Sequence, residues 1–147
     1  MPGYVLDTSA LLAMYYQEPG ALEVLEIVGT GVGGEIHESA TDLVDREPAP
    51  VYLPFMALME IEYVVRQREG RYEADRASHL VRAWPLELKE SSPIWRREAA
   101  RVKSRYPLSL GDAWVAALAL LQDARLVHRD AGFDTVEGLR SLRLPEK

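Results

Sequence analysis

A chain of 147 residues that is 48% hydrophobic is long enough to bury one core and leaves little room for a second, so disorder is not its dominant state. It has no cysteine, which excludes disulfides, thiolate catalysis and cysteine-based zinc sites and fits a reducing, cytoplasmic compartment. The formal charge of −6 divides into −10 over residues 1–65, where Arg46 is the single base, and +4 over residues 66–147, an imbalance that suits an acidic pocket beside a basic, phosphate-facing flank.

Tyr4 to Asp7 reads as a short buried strand, after which Thr8 or Ser9 supplies an N-cap for a helix over Ala10 to Tyr16. Pro19-Gly20 breaks that helix, and Ala21 to Val28 forms another. Periodicity then fails from residue 29 to residue 50. This stretch is rich in glycine, then acidic at Glu35, Glu38, Asp42, Asp45 and Glu47, and reads as a long acidic loop insertion with one helical turn near Ala40 to Val44. Val51 to Leu53 is a second strand, and Pro54 opens a helix to about Gly70 whose packing stripe is Phe55, Met56, Met59, Tyr63 and Val64, with Glu60 seated near the core. A helix over Tyr72 to Ala83 precedes a third strand at Leu86 to Leu88. Ser92-Pro93 starts a helix through Arg105, and Ser109 starts the most apolar one. Arg125 to His128 is a fourth strand, residues 129–134 a loop, and Leu139 to Leu144 a fifth, edge strand. Met56, Met59, Trp95 and Trp114 are expected in the core. Strands alternating with helices predict an α/β fold, with a mostly parallel sheet of four or five short strands covered on both faces. The N-terminus lacks a basic leader, and the apolar run at 113–121 is too short for a bilayer, so no signal peptide or membrane association is expected.

Four acids stand where strands stop or helices begin: Asp7, Glu60, Asp112 and Asp130. A parallel sheet gathers the carboxyl ends of its strands at one edge, where carboxylates far apart in sequence converge. Such a cluster repels itself unless cations fill it, and hard oxygen ligands select Mg²⁺ or Mn²⁺. Each acid also has a plainer use. Asp7 could cap a helix, although Thr8 and Ser9 already offer capping oxygens. Asp112, three residues after Ser109, fits a capping box and favours the helix dipole. Glu60, within an apolar stripe, is costly to bury unless paired or bound to a cation. Asp130 sits in a loop where acids are ordinary; Asp134 could ligate a metal or cap the next turn, and Ser9 could hold an Asp7 oxygen or serve as an N-cap. His37, His79 and His128 share no ligand spacing.

The blocks Val5-Leu6-Asp7-Thr8-Ser9-Ala10, Leu53-Pro54-Phe55 through Glu60, Leu110-Gly111-Asp112-Ala113-Trp114 and Leu126-Val127-His128-Arg129-Asp130-Ala131-Gly132-Phe133 resemble, in order and across nearly the whole chain, those of PIN-domain ribonucleases. A chain of this size is similar to the VapC-like toxins of prokaryotic toxin–antitoxin pairs. The resemblance implies a single PIN-like domain over residues 1–147, three-layer α/β/α. It also implies an Mg²⁺- or Mn²⁺-dependent endonuclease acting on RNA, dimeric and held inactive by a small antitoxin. Asp7, Glu60, Asp112 and Asp130 fall on the family's acidic positions, with Asp134 a fifth candidate and Ser9 a supporting hydroxyl. The acidic 29–50 segment departs from the family pattern; its charge repels RNA and suggests a partner-binding role. Two other classes compete. A phosphoaspartyl phosphatase needs a second acid two residues after Asp7, where this chain has Ser9, and a receiver domain needs a pair of adjacent acids near its first strand and a lysine after a late strand, where this chain has only Lys89, Lys103 and Lys147. The third reading is a PIN-like binding module without catalysis.

Overall fold

The computed structural model describes residues 2–29 and 49–146. Most of the expected 29–50 loop, with its helical turn and His37, lies outside the described residues. The remainder runs β1 (Tyr4–Leu6), α1 (Thr8–Tyr15), α2 (Ala21–Val28), β2 (Val51–Pro54), α3 (Phe55–Glu69), α4 (Arg71–Ala83), β3 (Glu87–Lys89), α5 (Pro93–Arg105), α6 (Leu110–Leu121), β4 (Arg125–His128), a 3₁₀ turn (Ala131–Thr135) and β5 (Ser141–Arg143).

All five strands are parallel, in the order β3-β2-β1-β4-β5. The first strand is therefore the innermost. Val5 sits in register between Tyr52 and Leu126, so β1 is shielded on both edges. The chain leaves β1 towards β2 and β3, then returns across it to β4 and β5. That reversal makes the carboxyl ends of β1 and β4 the switch point, the place where open α/β sheets leave a crevice.

Alternation along the strands divides the core into two layers. Val5 and Leu126 point to the side filled by Trp95, Ala99 and Val102 of α5 and the Ala113 to Ala119 stretch of α6. Leu6 and Val127 point to the other, against Leu11 of α1, Val24 of α2, Ile61 and Val65 of α3 and Val81 of α4. Phe55, Trp95 and Trp114 form an edge-to-face trio with centroids 5.0–5.5 Å apart, and Trp95 Nε1–H donates to Trp114 O at 2.8 Å. Gly70 ends α3 and starts α4 at φ +90°, a left-handed turn that favours glycine.

The α3 stripe differs from expectation. Met56, Ala57, Ile61 and Val65 are buried, whereas Met59 and Tyr63 are 58% and 48% exposed. The buried set is about one residue out of phase with the expected one, which leaves Glu60 half-buried at the border. Met56 and Trp95 are core as expected, Trp114 is half-buried, and Pro54 closes β2 rather than opening α3. The third strand lies one residue later than Leu86–Leu88.

Gly3 leads into β1 through a gap with no room for a side chain. A Cβ there would stand 2.1 Å from the Pro50 carbonyl oxygen, which accepts the Tyr4 N–H at 2.8 Å. Gly3→Ala should therefore spread β1 from β2 and lower stability by about 1–3 kcal/mol. Urea denaturation would measure it, and an unchanged midpoint would refute this account of the strand entry.

Candidate active site

Asp7 follows β1 directly, in extended backbone, and is itself the N-cap of α1. Its Oδ2 accepts the Ser9 N–H at 3.2 Å and the Ser9 hydroxyl at 2.5 Å, while its own N–H donates to Val127 O at 3.0 Å. The expectation that Thr8 or Ser9 caps this helix is corrected: the helix begins at Thr8, two residues before the expected Ala10, and the strand-end aspartate takes the role. Asp7 is only 8% exposed. Burial pushes its pKa from 3.8 up to about 6, against the Ser9 hydrogen bond and with added repulsion from Asp112.

Glu60 faces the same edge from α3. Its Oε1 lies 3.7 Å from where a Gly111 Cβ would stand, which places it against the start of α6. Burial raises its pKa, and the charges of Asp7 and Asp112 raise it further. The Thr8 hydroxyl is buried without a partner at hydrogen-bonding geometry, yet close enough to favour the charged form of Glu60. Asp112 occupies the first turn of α6 and donates its N–H to Ser109 Oγ at 3.1 Å. Ser109 does cap this helix, as expected. The Asp112 carboxyl is nonetheless raised by burial and by Asp130, with Ser109 opposing.

Asp130, exposed beyond β4, caps the 3₁₀ turn by accepting the Gly132 N–H at 2.8 Å. Asp7, Glu60, Asp112 and Asp130 are thus linked by mutual repulsion into one connected set. Asp134 stands apart: its exposed carboxylate pairs with Arg143 at 3.2 Å, and its charge acts on His128. Ser9 bridges the two strand ends, since its Oγ also accepts the Arg129 N–H at 3.1 Å.

Two residues have roles here that sequence reading did not assign. Arg129, 13% exposed at its side chain, pairs with Glu18 at 3.1 Å and donates to the carbonyls of Pro19 and Pro145, clamping the α1–α2 turn and the C-terminal tail onto the end of β4. No local signal marks it, because these partners lie 16 to 111 positions away. His128 is fully buried beside Phe133, at a ring-centroid distance of 4.8 Å. Burial lowers its pKa, although Asp134 and Asp130 oppose that.

The donor set is all hard carboxylate oxygen, and a divalent cation would relieve the repulsion that raises three of its members. In its chemistry the set fits such an ion. Among the described residues, however, no three His, Asp or Glu side chains already close around one point.

A model of the PIN domain matches residues 4–139. The chain belongs to the PIN-domain family. A VapC ribonuclease of Mycobacterium bovis and ribonuclease VapC11 of Mycobacterium tuberculosis are each 26% identical to this PIN domain over 146 residues, covering 95% of both chains. In structure it is similar to VapBC2 from Rickettsia felis bound to a promoter DNA fragment, with a TM-score of 0.70 and 15% identity over 97% of this chain and 98% of that one. It is also similar to VapC20 of Mycobacterium tuberculosis, a sarcin–ricin loop cleaving toxin, with a TM-score of 0.64 and 17% identity over 97% and 100% of the two chains. The expected three-layer α/β/α fold is that of this family, with five parallel strands.

The raised Asp7 pKa has a signed consequence for stability. The native state keeps this proton to higher pH than the unfolded chain, so the contribution of Asp7 is constant below pH 3.8, falls as pH rises to about 6, and is flat above. In chelator at about pH 8, Asp7→Asn should be more stable than the parent by up to about 3 kcal/mol, a difference that shrinks towards zero below pH 4. Denaturant titrations at the two pH values would check this; equal stability at the higher pH would show that the buried charge imposes no cost.

Proposed function

We propose that this PIN domain is a divalent-metal-dependent endoribonuclease that hydrolyses RNA phosphodiester bonds, and that it is the toxin of a toxin–antitoxin pair. One observation carries the reading: a carboxylate buried at the switch point of the sheet and electrostatically joined to Glu60 and Asp112. A cluster that destabilises its own fold is retained where function uses the charge. The ribonuclease names of the sequence relatives support the same chemistry.

Asp7, Glu60, Asp112 and Asp130 would hold Mg²⁺ or Mn²⁺, with Asp134 as an outer candidate. The ion, when bound, supplies Lewis-acid activation of water and offsets charge on the phosphate. Ser9 occupies Oδ2 of Asp7 and so orients the carboxylate. The strained electrostatics of Asp7 and Glu60 favour taking up a cation over remaining ionised and unpaired. On α5, Arg96, Arg97 and Lys103 have no ion-pair partner among the described residues and are the candidates for RNA phosphate contacts, whereas Arg101 and Arg105 pair with Glu98 and Glu137. In this reading residues 1–147 form one domain in the cytoplasm, homodimeric and restrained by a small antitoxin, with the acidic 29–50 insertion serving a partner rather than RNA.

The test is cleavage of labelled RNA with Mg²⁺ or Mn²⁺ against a chelator control. Asp7→Asn and Asp112→Asn should each lower the rate by at least about 100-fold while the fold is kept, as expected when a charge used in the reaction is removed. Cleavage that persists in chelator, or in both variants, would end the proposal.

A further inference from the structure

His128 closes β4 with 0% exposure, at a position where the neighbouring Leu126 and Val127 are aliphatic and equally buried. A leucine or valine would fill such a place without polar cost. Histidine instead leaves Nε2 buried with no hydrogen-bond partner, a penalty that packing alone does not explain. What the ring contributes in return is at its other nitrogen. Nδ1 accepts the N–H of Asp130 at 3.0 Å. For Nδ1 to accept, the ring proton must sit on Nε2, so the unpartnered N–H and the bond to Asp130 are two consequences of one tautomer.

The Asp130 amide needs that acceptor. The ladder between β4 and β5 ends where Leu144 N–H donates to His128 O, so Asp130 lies beyond it. The turn that follows repeats the device, with Asp130 Oδ1 accepting the Gly132 N–H two residues on. Gly132 also keeps this approach open, because a Cβ there would stand 3.2 Å from Asp130 Oδ1. Between them, the Arg129 N–H is held by Ser9 Oγ, which in turn donates to Asp7 Oδ2. The amides of residues 129, 130 and 132 are therefore all assigned, and the row they make is tied at one end to Asp7.

We propose that His128 is a positioning residue for Asp130: by accepting its amide through Nδ1, the ring sets the direction in which that carboxylate leaves the sheet and faces Asp112. The inference rests on the metal-binding reading above for what Asp130 is positioned to do. Asparagine carries an acceptor at the γ branch, where Nδ1 stands, and closes the same turn with the amide two residues on. Glutamine carries its acceptor one carbon farther out, and leucine has none.

The experiment compares His128→Asn, His128→Gln and His128→Leu with the parent in two measurements. In the metal-free protein, amide hydrogen exchange at Asp130 should be slow in the parent, within about 3-fold of it in the Asn variant, and at least about 10-fold faster in the Gln and Leu variants. Mn²⁺ titration, followed by the free-ion electron paramagnetic signal, should show affinity falling about 10-fold or more in Gln and Leu and largely restored in Asn, the range expected when a group supporting a ligand is lost. Asn and Gln variants that behave alike in exchange, or a Leu variant with parental Asp130 protection, would overturn the proposal. Loss of protection throughout the Leu variant would mark the ring as packing in that variant and leave the Asn–Gln comparison to decide. Absence of Mn²⁺ binding by the parent, or parental binding by Asp130→Asn, would instead sink the metal role of Asp130, while the exchange data would still judge His128.

Discussion

Asp7 has to remain at the carboxyl end of the innermost strand, where parallel neighbours on both sides keep water away from it. A carboxylate so placed keeps its charge only with help, and much of the surrounding structure provides it. The N-terminus of α1 offers amide dipoles, Ser9 donates twice, and the link to Val127 prevents the strand end from rotating out to solvent. Even so, desolvation dominates, and proton affinity rises.

The other acids meet the same edge with different support. Asp112 lies in the first turn of α6, where the helix dipole and Ser109 favour a negative charge. Glu60 lies in the middle of α3 with its carboxylate against the start of α6, and the Thr8 hydroxyl favours its charged form. Asp130 is the most solvated of the four, held by backbone turns rather than by burial. The four are therefore graded from a buried centre at Asp7 to an exposed rim at Asp130.

Rigidity at this edge comes from segments that carry no acid of the cluster. Arg129 points away from the site and fastens the α1–α2 turn and the C-terminal tail to the end of β4, so its charge serves the frame and not a phosphate. An arginine beside an acidic motif is easily taken for a substrate contact. With Glu18 at 3.1 Å and both side chains largely buried, this one is committed internally. Ser9 then carries that frame to the Asp7 carboxylate through two consecutive hydrogen bonds.

Local chemistry made much of this readable in the residues themselves. Pro19-Gly20, Ser92-Pro93 and Ser109 mark helix limits because caps and breakers act over three or four residues, and the aliphatic runs at Val5-Leu6 and Leu126-Val127 identify buried strands because both faces of a parallel sheet are covered. The four acids could be singled out for the same reason: strand ends and helix starts are local features. Their mutual repulsion, the one-residue change in the α3 stripe that exposes Met59, and the choice of Asp7 over Thr8 as the cap depend on how α3 and α6 settle against the sheet. Arg129 lies 110 or more positions from Ser9, Glu18 and Pro19, and a hydrogen bond across that separation has no period or spacing to betray it. Tertiary packing alone decides which nitrogen of His128 is left bare and which holds Asp130, because that choice is made by what surrounds the ring and not by the ring.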